Sequence, residues 1–101
     1  MPEKVFLATK DLVFRSKLAT VVAAAGAAVT ADDAECDIAV LDVEGPGVAD
    51  RIGAWAAKGV RVLAYGSHVR ADLLRAARDA GAVAVPNSAV EEKLRELLQT
   101  V

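Results

Sequence analysis

Short apolar runs rich in β-branched residues alternate along this chain with longer runs whose apolar residues recur at helical spacing. The predicted strands are residues 4–8, 27–31, 38–41, 60–65 and 82–85. Their continuous apolar character indicates strands that are buried on both faces, as in a parallel sheet. Alternating strands and helices therefore predict an α/β protein with helices on both faces of that sheet. The connector 31–37 is short for a crossover helix, so we expect a turn or a very short helix there.

Polar residues and glycines mark the ends of the predicted helices. Asp11 is a suitable N-cap for the first helix, and Gly26 is a suitable end. Ser88 and Glu91 have the spacing of a capping box before the last helix, whose apolar face extends to Val101. These signals support one helix after the first strand and one after each of the last three strands.

Size, charge and cysteine content exclude several classes of function. A chain of 101 residues fits one small domain and excludes a two-domain enzyme with an interdomain cleft. A net charge of -2 gives no basic field for nucleic acid or anionic lipid. The single Cys36 excludes an intrachain disulfide. Because His68 is the only histidine, the chain has few of the cysteine and histidine ligands that zinc sites use. The charged N-terminus is no signal peptide, and the apolar stretch 18–29 is too short for a membrane span, so a cytoplasmic protein is expected.

Polar residues follow four of the predicted strands, at the edge where parallel α/β sheets bind ligands. The candidate site residues there are Thr9, Lys10, Asp11, Asp42, Ser67, His68, Asn87 and Ser88. Asp42 is either a nucleophile or metal ligand, or a strand-end aspartate that binds loop N–H groups. Ser67 and His68 are adjacent and lack an orienting acid, which favours a serine N-cap beside a half-exposed histidine over a catalytic pair.

Other motifs that carry chemistry are absent from the sequence. Neither a G-x-G-x-x-G nor a G-x-x-x-x-G-K-[ST] stretch occurs, so no nucleotide-binding fingerprint is present. Cys36 lacks a C-x-x-C partner and any other sign of reactivity. Trp55 shares the helical spacing of Val48 and Ile52, which favours a core or interface position. We therefore expect no enzymatic activity.

The segment from Asp37 to Gly47, D-I-A-V-L-D-V-E-G-P-G, resembles the D-x-x-x-x-D-x-x-M-P-G stretch of bacterial response-regulator receiver domains. The first strand and helix and the A-G-A at residues 80–82 are also similar to that family. The resemblance covers nearly the whole chain. It implies one receiver-like domain over residues 1–101, with a flavodoxin-like sheet of order 2-1-3-4-5 and a reduced or absent second helix. It also implies that Asp42 corresponds to the phospho-acceptor.

Three departures from the family fall at the residues that would support phosphorylation. Thr9 and Lys10 align with the acidic pair that holds Mg²⁺, Gly66 aligns with the Thr or Ser that contacts the phosphoryl group, and Val85 replaces a lysine. Phosphoryl transfer needs positive charge around the reacting oxygens. We therefore expect a pseudo-receiver without a cofactor, in which Mg²⁺ is relevant only if Asp42 is phosphorylated. Lys10 is expected to form an ion pair with Asp42.

The expected function is a signalling module that binds a protein partner or a second copy, with no nucleic-acid or membrane ligand. The resemblance implies contact through the last strand and helix, and Trp55 with helix 48–58 is an alternative surface. A second hypothesis is phosphorylation of Asp42 with Asp11 as the lone metal ligand. A third is a small anionic ligand held by helix N-termini, Lys10, Ser67 and Asn87.

Overall fold

A computed structural model of the chain describes residues 3–99. The five strands are β1 (Lys4–Ala8), β2 (Ala28–Thr30), β3 (Ile38–Asp42), β4 (Arg61–Gly66) and β5 (Val83–Pro86). The four α-helices of the described residues are α1 (Leu12–Ala24), α2 (Val48–Ala57), α3 (Ala71–Ala80) and α4 (Val90–Gln99). Val101, predicted on the apolar face of the last helix, lies outside the described residues. Within residues 3–99, no helix is long and apolar enough to cross a membrane.

All neighbouring strands pair in parallel, in the order β2-β1-β3-β4-β5. Helices α1 and α4 pack on one face of the sheet, and α2 and α3 pack on the other. The predicted α/β fold with a parallel sheet of this order is confirmed.

Strand β3 forms the centre of the core. Its residues Ile38 to Leu41 are all at most 1% exposed. Because side chains alternate along a strand, Ile38 and Val40 pack towards α1 and α4, whereas Ala39 and Leu41 pack towards α2 and α3. Burial on both faces explains why the sequence of this strand has no polar alternation.

The connection between β2 and β3, residues 31–37, makes turns and bends. Strand β2 is short, and its last residue Thr30 pairs with Phe6 of β1. Strand β3 begins at Ile38, which pairs with Val5 of β1. Between the end of β2 and the start of β3, the chain therefore crosses from one side of β1 to the other. Along the direction of β1 it moves back by only one residue, from the level of Phe6 to that of Val5. A short connection spans this path without a crossover helix.

Trp55 of α2 packs beneath this connection. Its indole Nε1 donates a hydrogen bond to the Asp33 carbonyl oxygen at 2.9 Å, and its ring lies 6.0 Å from that of Phe6. Only 5% of Trp55 is exposed. Its ring is thus part of the core, so the alternative contact surface expected around Trp55 does not present this side chain to a partner.

The predicted cap at the start of α1 is confirmed, and the one before α4 is wrong. Asp11 Oδ1 accepts hydrogen bonds from the backbone N–H groups of Val13 and Phe14, at 3.0 and 3.1 Å. Before α4, a 3₁₀ turn covers Asn87–Ala89, and the last extended residue is Pro86. Ser88 therefore lies inside the turn and not at a cap position. Across residues 3–99 its hydroxyl makes no hydrogen bond.

Arg61 joins the beginning of the described chain to its end. Its guanidinium donates to the carbonyl oxygen of Leu97 at 2.9 Å and also binds the Glu3 carboxylate. The Leu97 carbonyl belongs to the last turn of α4, where carbonyl groups have no partner within the helix. The arginine thus stabilises the end of α4 and ties it to the start of β4.

We expect Arg61→Met to lower the free energy of unfolding by about 1–2 kcal/mol, because a charged hydrogen-bond donor is lost at a half-buried site. Urea denaturation measures the change. The matched control is Arg75→Met, since Arg75 is exposed on α3 and makes no hydrogen bond or ion pair within the described range. Equal effects of the two substitutions would contradict this role of Arg61.

Candidate functional site

A cavity of about 470 Å³ lies at the carboxyl edge of the sheet. Its walls come from the end of β1 and the start of α1, the β3–α2 loop, the end of β4 and the residue after β5. The predicted site residues that line it are Thr9, Lys10, Asp11, Asp42 and Asn87. Those that do not line it are Ser67, His68 and Ser88. The fold therefore brings the carboxyl ends of β1, β3, β4 and β5 together at this cavity.

Asp42 ends β3 and begins a tight turn. Its Oδ1 accepts a hydrogen bond from the Glu44 N–H at 2.8 Å, and its carbonyl oxygen accepts one from Gly45 at 3.2 Å. This is the strand-end turn that the sequence offered as one interpretation. The expected ion pair with Lys10 is wrong, because no charged atoms of these two residues lie within 4.0 Å of each other. Lys10 is exposed, and at an exposed site an ion pair stabilises the folded chain little, because water already solvates the ammonium group.

Ser67 and His68 lie in the loop that follows β4. The Ser67 hydroxyl accepts a weak hydrogen bond from the Val69 N–H at 3.4 Å, and the Ser67 carbonyl accepts one from Arg70 at 2.9 Å. The predicted N-cap role of Ser67 is wrong, because this turn separates it from α3 and leaves Arg70 at the cap position. His68 is exposed, which agrees with the non-catalytic interpretation.

Tyr65 is a cavity residue that the sequence pattern did not reveal. It pairs in register with Asp42, and its ring stacks on Phe14 with centroids 4.7 Å apart and planes 5° apart. Only 3% of the residue is exposed, and within residues 3–99 its buried hydroxyl has no hydrogen-bond partner. An aromatic residue in an apolar strand indicates a core position, and this one also lines the cavity.

The environment of Tyr65 favours the neutral phenol. Burial raises its pKa, the Thr9 hydroxyl lowers it, and the carboxylates of Asp42 and Asp11 raise it further. The contact with Thr9 falls outside hydrogen-bond geometry. The raised pKa keeps the phenol protonated at neutral pH.

Arg51 and Glu44 are charged residues of the cavity that sequence reasoning also missed as site residues. The Arg51 guanidinium carbon lies 5.0 Å from the centre of the Trp55 ring, a cation–π geometry. Glu44 binds Arg70 at 3.2 Å. Arg70 also binds Asp72 and lowers the pKa of that exposed carboxyl. Only the folded chain places Arg51, from the first turns of α2, next to the end of β1.

The residues present do not form a ready metal site. Within residues 3–99, no three Asp, Glu, His or Cys side chains are grouped so that they could hold an ion. Cys36 lies away from this cavity, beside Glu3 and Lys4 at the opposite edge of the sheet. Burial raises its thiol pKa, and Asp33, Asp37 and Asp32 raise it further. Cys36 is therefore a protonated, structural thiol at neutral pH.

No protein-family model and no curated protein sequence matches this chain. Several solved structures do. A protein described as a response regulator from Chloroflexus aurantiacus is 18% identical with a TM-score of 0.73, and the match covers 97% of this chain and 98% of that one. The chemotaxis response regulator CheY4 of Vibrio cholerae is 16% identical with a TM-score of 0.70, covering 96% and 99%. A response regulator from Burkholderia multivorans is 21% identical with a TM-score of 0.68, covering 100% and 98%.

The chain has the fold of a response-regulator receiver domain. The matches extend over nearly the whole of this chain and of each of these three proteins. At these identities the likeness describes the fold. The chemistry of the site therefore depends on the residues that this chain places there.

Only glycine fits at position 66, because the side chain of Val43, the residue that follows β3, lies against it. A Cβ atom added at Gly66 would overlap Cγ2 of Val43, which is itself 4% exposed. The position that the resemblance aligns with a hydroxyl-bearing residue therefore has no space for one. Val43 and Gly66 therefore pack as a complementary pair where β3 and β4 end.

We expect Gly66→Ser to lower the free energy of unfolding by about 1–3 kcal/mol through overpacking. Adding Val43→Ala should recover part of this loss. The free energy of unfolding should then fall less in the double variant than the two single losses added together. Chemical denaturation of all three variants measures the coupling. As a control, Gly53→Ala in α2 meets no atom within 4 Å and should raise stability by roughly 0.5–1 kcal/mol. Additive effects at Gly66 and Val43 would contradict the steric explanation.

Proposed function

We propose that this chain is a receiver-like module that acts in the cytoplasm by binding a protein partner or a second copy, independently of Mg²⁺-dependent phosphorylation. The observation that carries the proposal is the composition of the cavity at the carboxyl edge. Asp42 is present, but Thr9 and Lys10 line the cavity where receivers have their acidic pair.

The chemistry of phosphoryl transfer supports this proposal. An acyl phosphate on Asp42 would add negative charge near Asp11 and Glu44, and receivers offset such charge with Mg²⁺ and a lysine. Here Asp11 is the acid beside β1, and its Oδ1 is engaged at the start of α1. Val85 supplies no charge. The proposal therefore assigns no catalytic role to the chain.

The surface formed by β5 and α4 is the contact face that we propose. Val83 on β5 is 40% exposed and pairs with Leu63, which packs towards α4, so Val83 lies on the α4 side of the sheet. Charged residues such as Glu92 and Arg95 lie on the exposed side of α4. An exposed valine at the sheet edge with flanking charges suits a protein contact that has an apolar centre and a polar rim. Nucleic acid and membrane are disfavoured by the overall charge of -2.

The phosphorylation part of the proposal predicts no response of the cavity to a phosphoryl mimic. Amide NMR spectra should stay unchanged at Asp11, Asp42 and Tyr65 when Mg²⁺ and then beryllofluoride are added. Asp42→Asn is the control, because it removes the acceptor carboxylate while its side-chain oxygen can still bind the Glu44 N–H. Saturable shifts that occur in the original chain and disappear in Asp42→Asn would overturn this part.

Phosphorylation of Asp42 with a degenerate metal site is the second candidate function. It is favoured by the position of Asp42, a half-buried residue that lines an accessible cavity. Within the described residues only Oδ1 of its carboxylate accepts a hydrogen bond, so Oδ2 has no such partner. Labelling by a small phosphodonor that requires Asp42 would support it over the leading proposal.

The contact part predicts that Val83→Asp weakens association by about tenfold or more, since a carboxylate would be buried in an apolar contact. Light scattering over a concentration series measures self-association, and affinity capture tests other partners. Val69→Asp is the matched control, because Val69 is 72% exposed in the loop before α3, away from this face. A chain that is monomeric at all concentrations and captures no partner would contradict the proposal.

A further inference from the structure

Strand β2 is an open edge of the sheet. Within residues 3–99 it pairs only with β1. The Ala28 N–H donates a hydrogen bond at 2.9 Å to the carbonyl oxygen of Glu3, the residue before β1. Because the backbone groups of successive strand residues point in alternate directions, the N–H and C=O groups of Val29 point away from β1. These two groups are therefore available to a further strand.

This edge lacks the features that prevent strands from pairing between molecules. Charged residues, prolines and covering helices protect such edges in many proteins. Strand β2 has neither a charge nor a proline, and the connection that follows it makes turns and bends. At the other edge, the Ala84 carbonyl oxygen of β5 accepts a hydrogen bond from Arg78 at 2.9 Å, and Pro86 ends the strand. Of the two edges, β2 is thus the one suited to strand pairing.

The surface around β2 is uncharged. Residues 18–31, which include the second half of α1 and all of β2, contain no Asp, Glu, Lys or Arg. Thr20 and Ala23 of α1 are small and exposed. Val29 pairs in register with Val5, which packs towards α1, so Val29 lies on the α1 side of the sheet, where it is 38% exposed. A second copy of the same surface matches it, because no like charges meet.

A two-fold axis at Val29 would match this edge to itself. In one kind of antiparallel pair, two residues that face each other exchange both of their N–H···O=C bonds. Val29 opposite Val29 of a second copy would therefore satisfy both outward groups of each residue. A three-residue strand with one outward-facing residue at its centre suits this symmetric arrangement.

The charges at the two ends of the edge favour the same orientation. Lys4 pairs with Ala28, and Ala28 would face Thr30 of the second copy, two residues before Asp32. Lys4 is exposed and makes no ion pair within residues 3–99. Antiparallel pairing therefore brings a lysine of each copy towards the acidic turn of the other, which identifies a second copy of this chain as the occupant of the edge.

We propose that the chain forms a two-fold dimer in which β2 pairs antiparallel with β2 of a second copy, centred on Val29. The pairing joins the two five-stranded sheets into one. The small exposed residues of α1 allow the two α1 helices to approach each other on one face of the joined sheet. This inference goes beyond the contact face on β5 and α4, which lies at the opposite edge and stays free in the dimer, so either can fail without the other.

Hydrogen exchange of the Val29 amide tests the pairing directly. Sedimentation of the chain over a concentration series should show a change from monomer to dimer. Over the same series, amide NMR should show exchange of the Val29 N–H slowing at least tenfold, because this group is hydrogen-bonded only in the dimer. The Glu44 N–H, which binds Asp42 far from this edge, is the control and should exchange at a constant rate.

Substitutions at the two edges separate this dimer from the contact face on β5 and α4. Val29→Lys should weaken dimerisation at least tenfold, because two ammonium groups would face each other across the axis. Val69→Lys is the matched control, since Val69 is 72% exposed in the loop before α3. Val83→Asp, on β5, should also leave the dimer unchanged.

A disulfide tests the register of the pairing. In a Cys36→Ala background, Val29→Cys should cross-link the dimer under mild oxidation. Facing residues in this kind of pair have Cα atoms about 5.5 Å apart, which is within the range of disulfides. Val69→Cys in the same background is the control and should stay uncross-linked.

The proposal is overturned if the chain is monomeric at all concentrations or if Val29→Cys cross-links no more than Val69→Cys. A monomer that captures a partner through Val83 would still leave the proposed function intact. The proposal is also overturned if Val83→Asp abolishes the dimer and Val29→Lys does not, a result that would support the face on β5 and α4 as the site of self-association.

Discussion

The burial of β3 is the constraint on which the rest of the structure depends. Its backbone pairs with β1 on one side and β4 on the other, and its side chains from Ile38 to Leu41 are covered on both faces. Such a strand satisfies its backbone groups only inside a sheet, and it excludes water from its side chains only when helices pack on both faces. The layered arrangement of the four helices follows from this requirement.

The same packing shapes the candidate site. Val43 continues the buried series one residue beyond β3, and its contact with Gly66 limits what the end of β4 can carry. Tyr65 directly precedes Gly66, packs towards α1 and α4 on the other side of the sheet, and also lines the cavity. Core packing and site chemistry are therefore coupled at the ends of β3 and β4, so that the site cannot acquire a hydroxyl at residue 66 without repacking residue 43.

Much of the candidate site follows from local sequence signals. Asp11 at a helix start and Asp42 before a Gly-Pro-Gly loop have short-range partners that their own neighbours provide. Tyr65 and Arg51 escaped prediction because their role depends on distant segments. An aromatic residue in a strand and an arginine in a helix are each ordinary in isolation. The capping box at Ser88 failed for a related reason, since the short path from Pro86 into α4 imposed a 3₁₀ turn on a valid local pattern.

The sequence by itself determined where strands and helices form and which of their faces are buried, because periodicity and turn residues act over a few neighbours. Tertiary structure alone decided which charges pair and which do not. Lys10 and Asp42 are 32 positions apart and form no ion pair with each other, whereas Glu44 forms one with Arg70. It also decided that Trp55 covers a helix-free connection and that the Tyr65 hydroxyl is buried with no hydrogen-bond partner in the described part of the chain. These outcomes depend on distances between segments far apart in the chain, which no local pattern encodes.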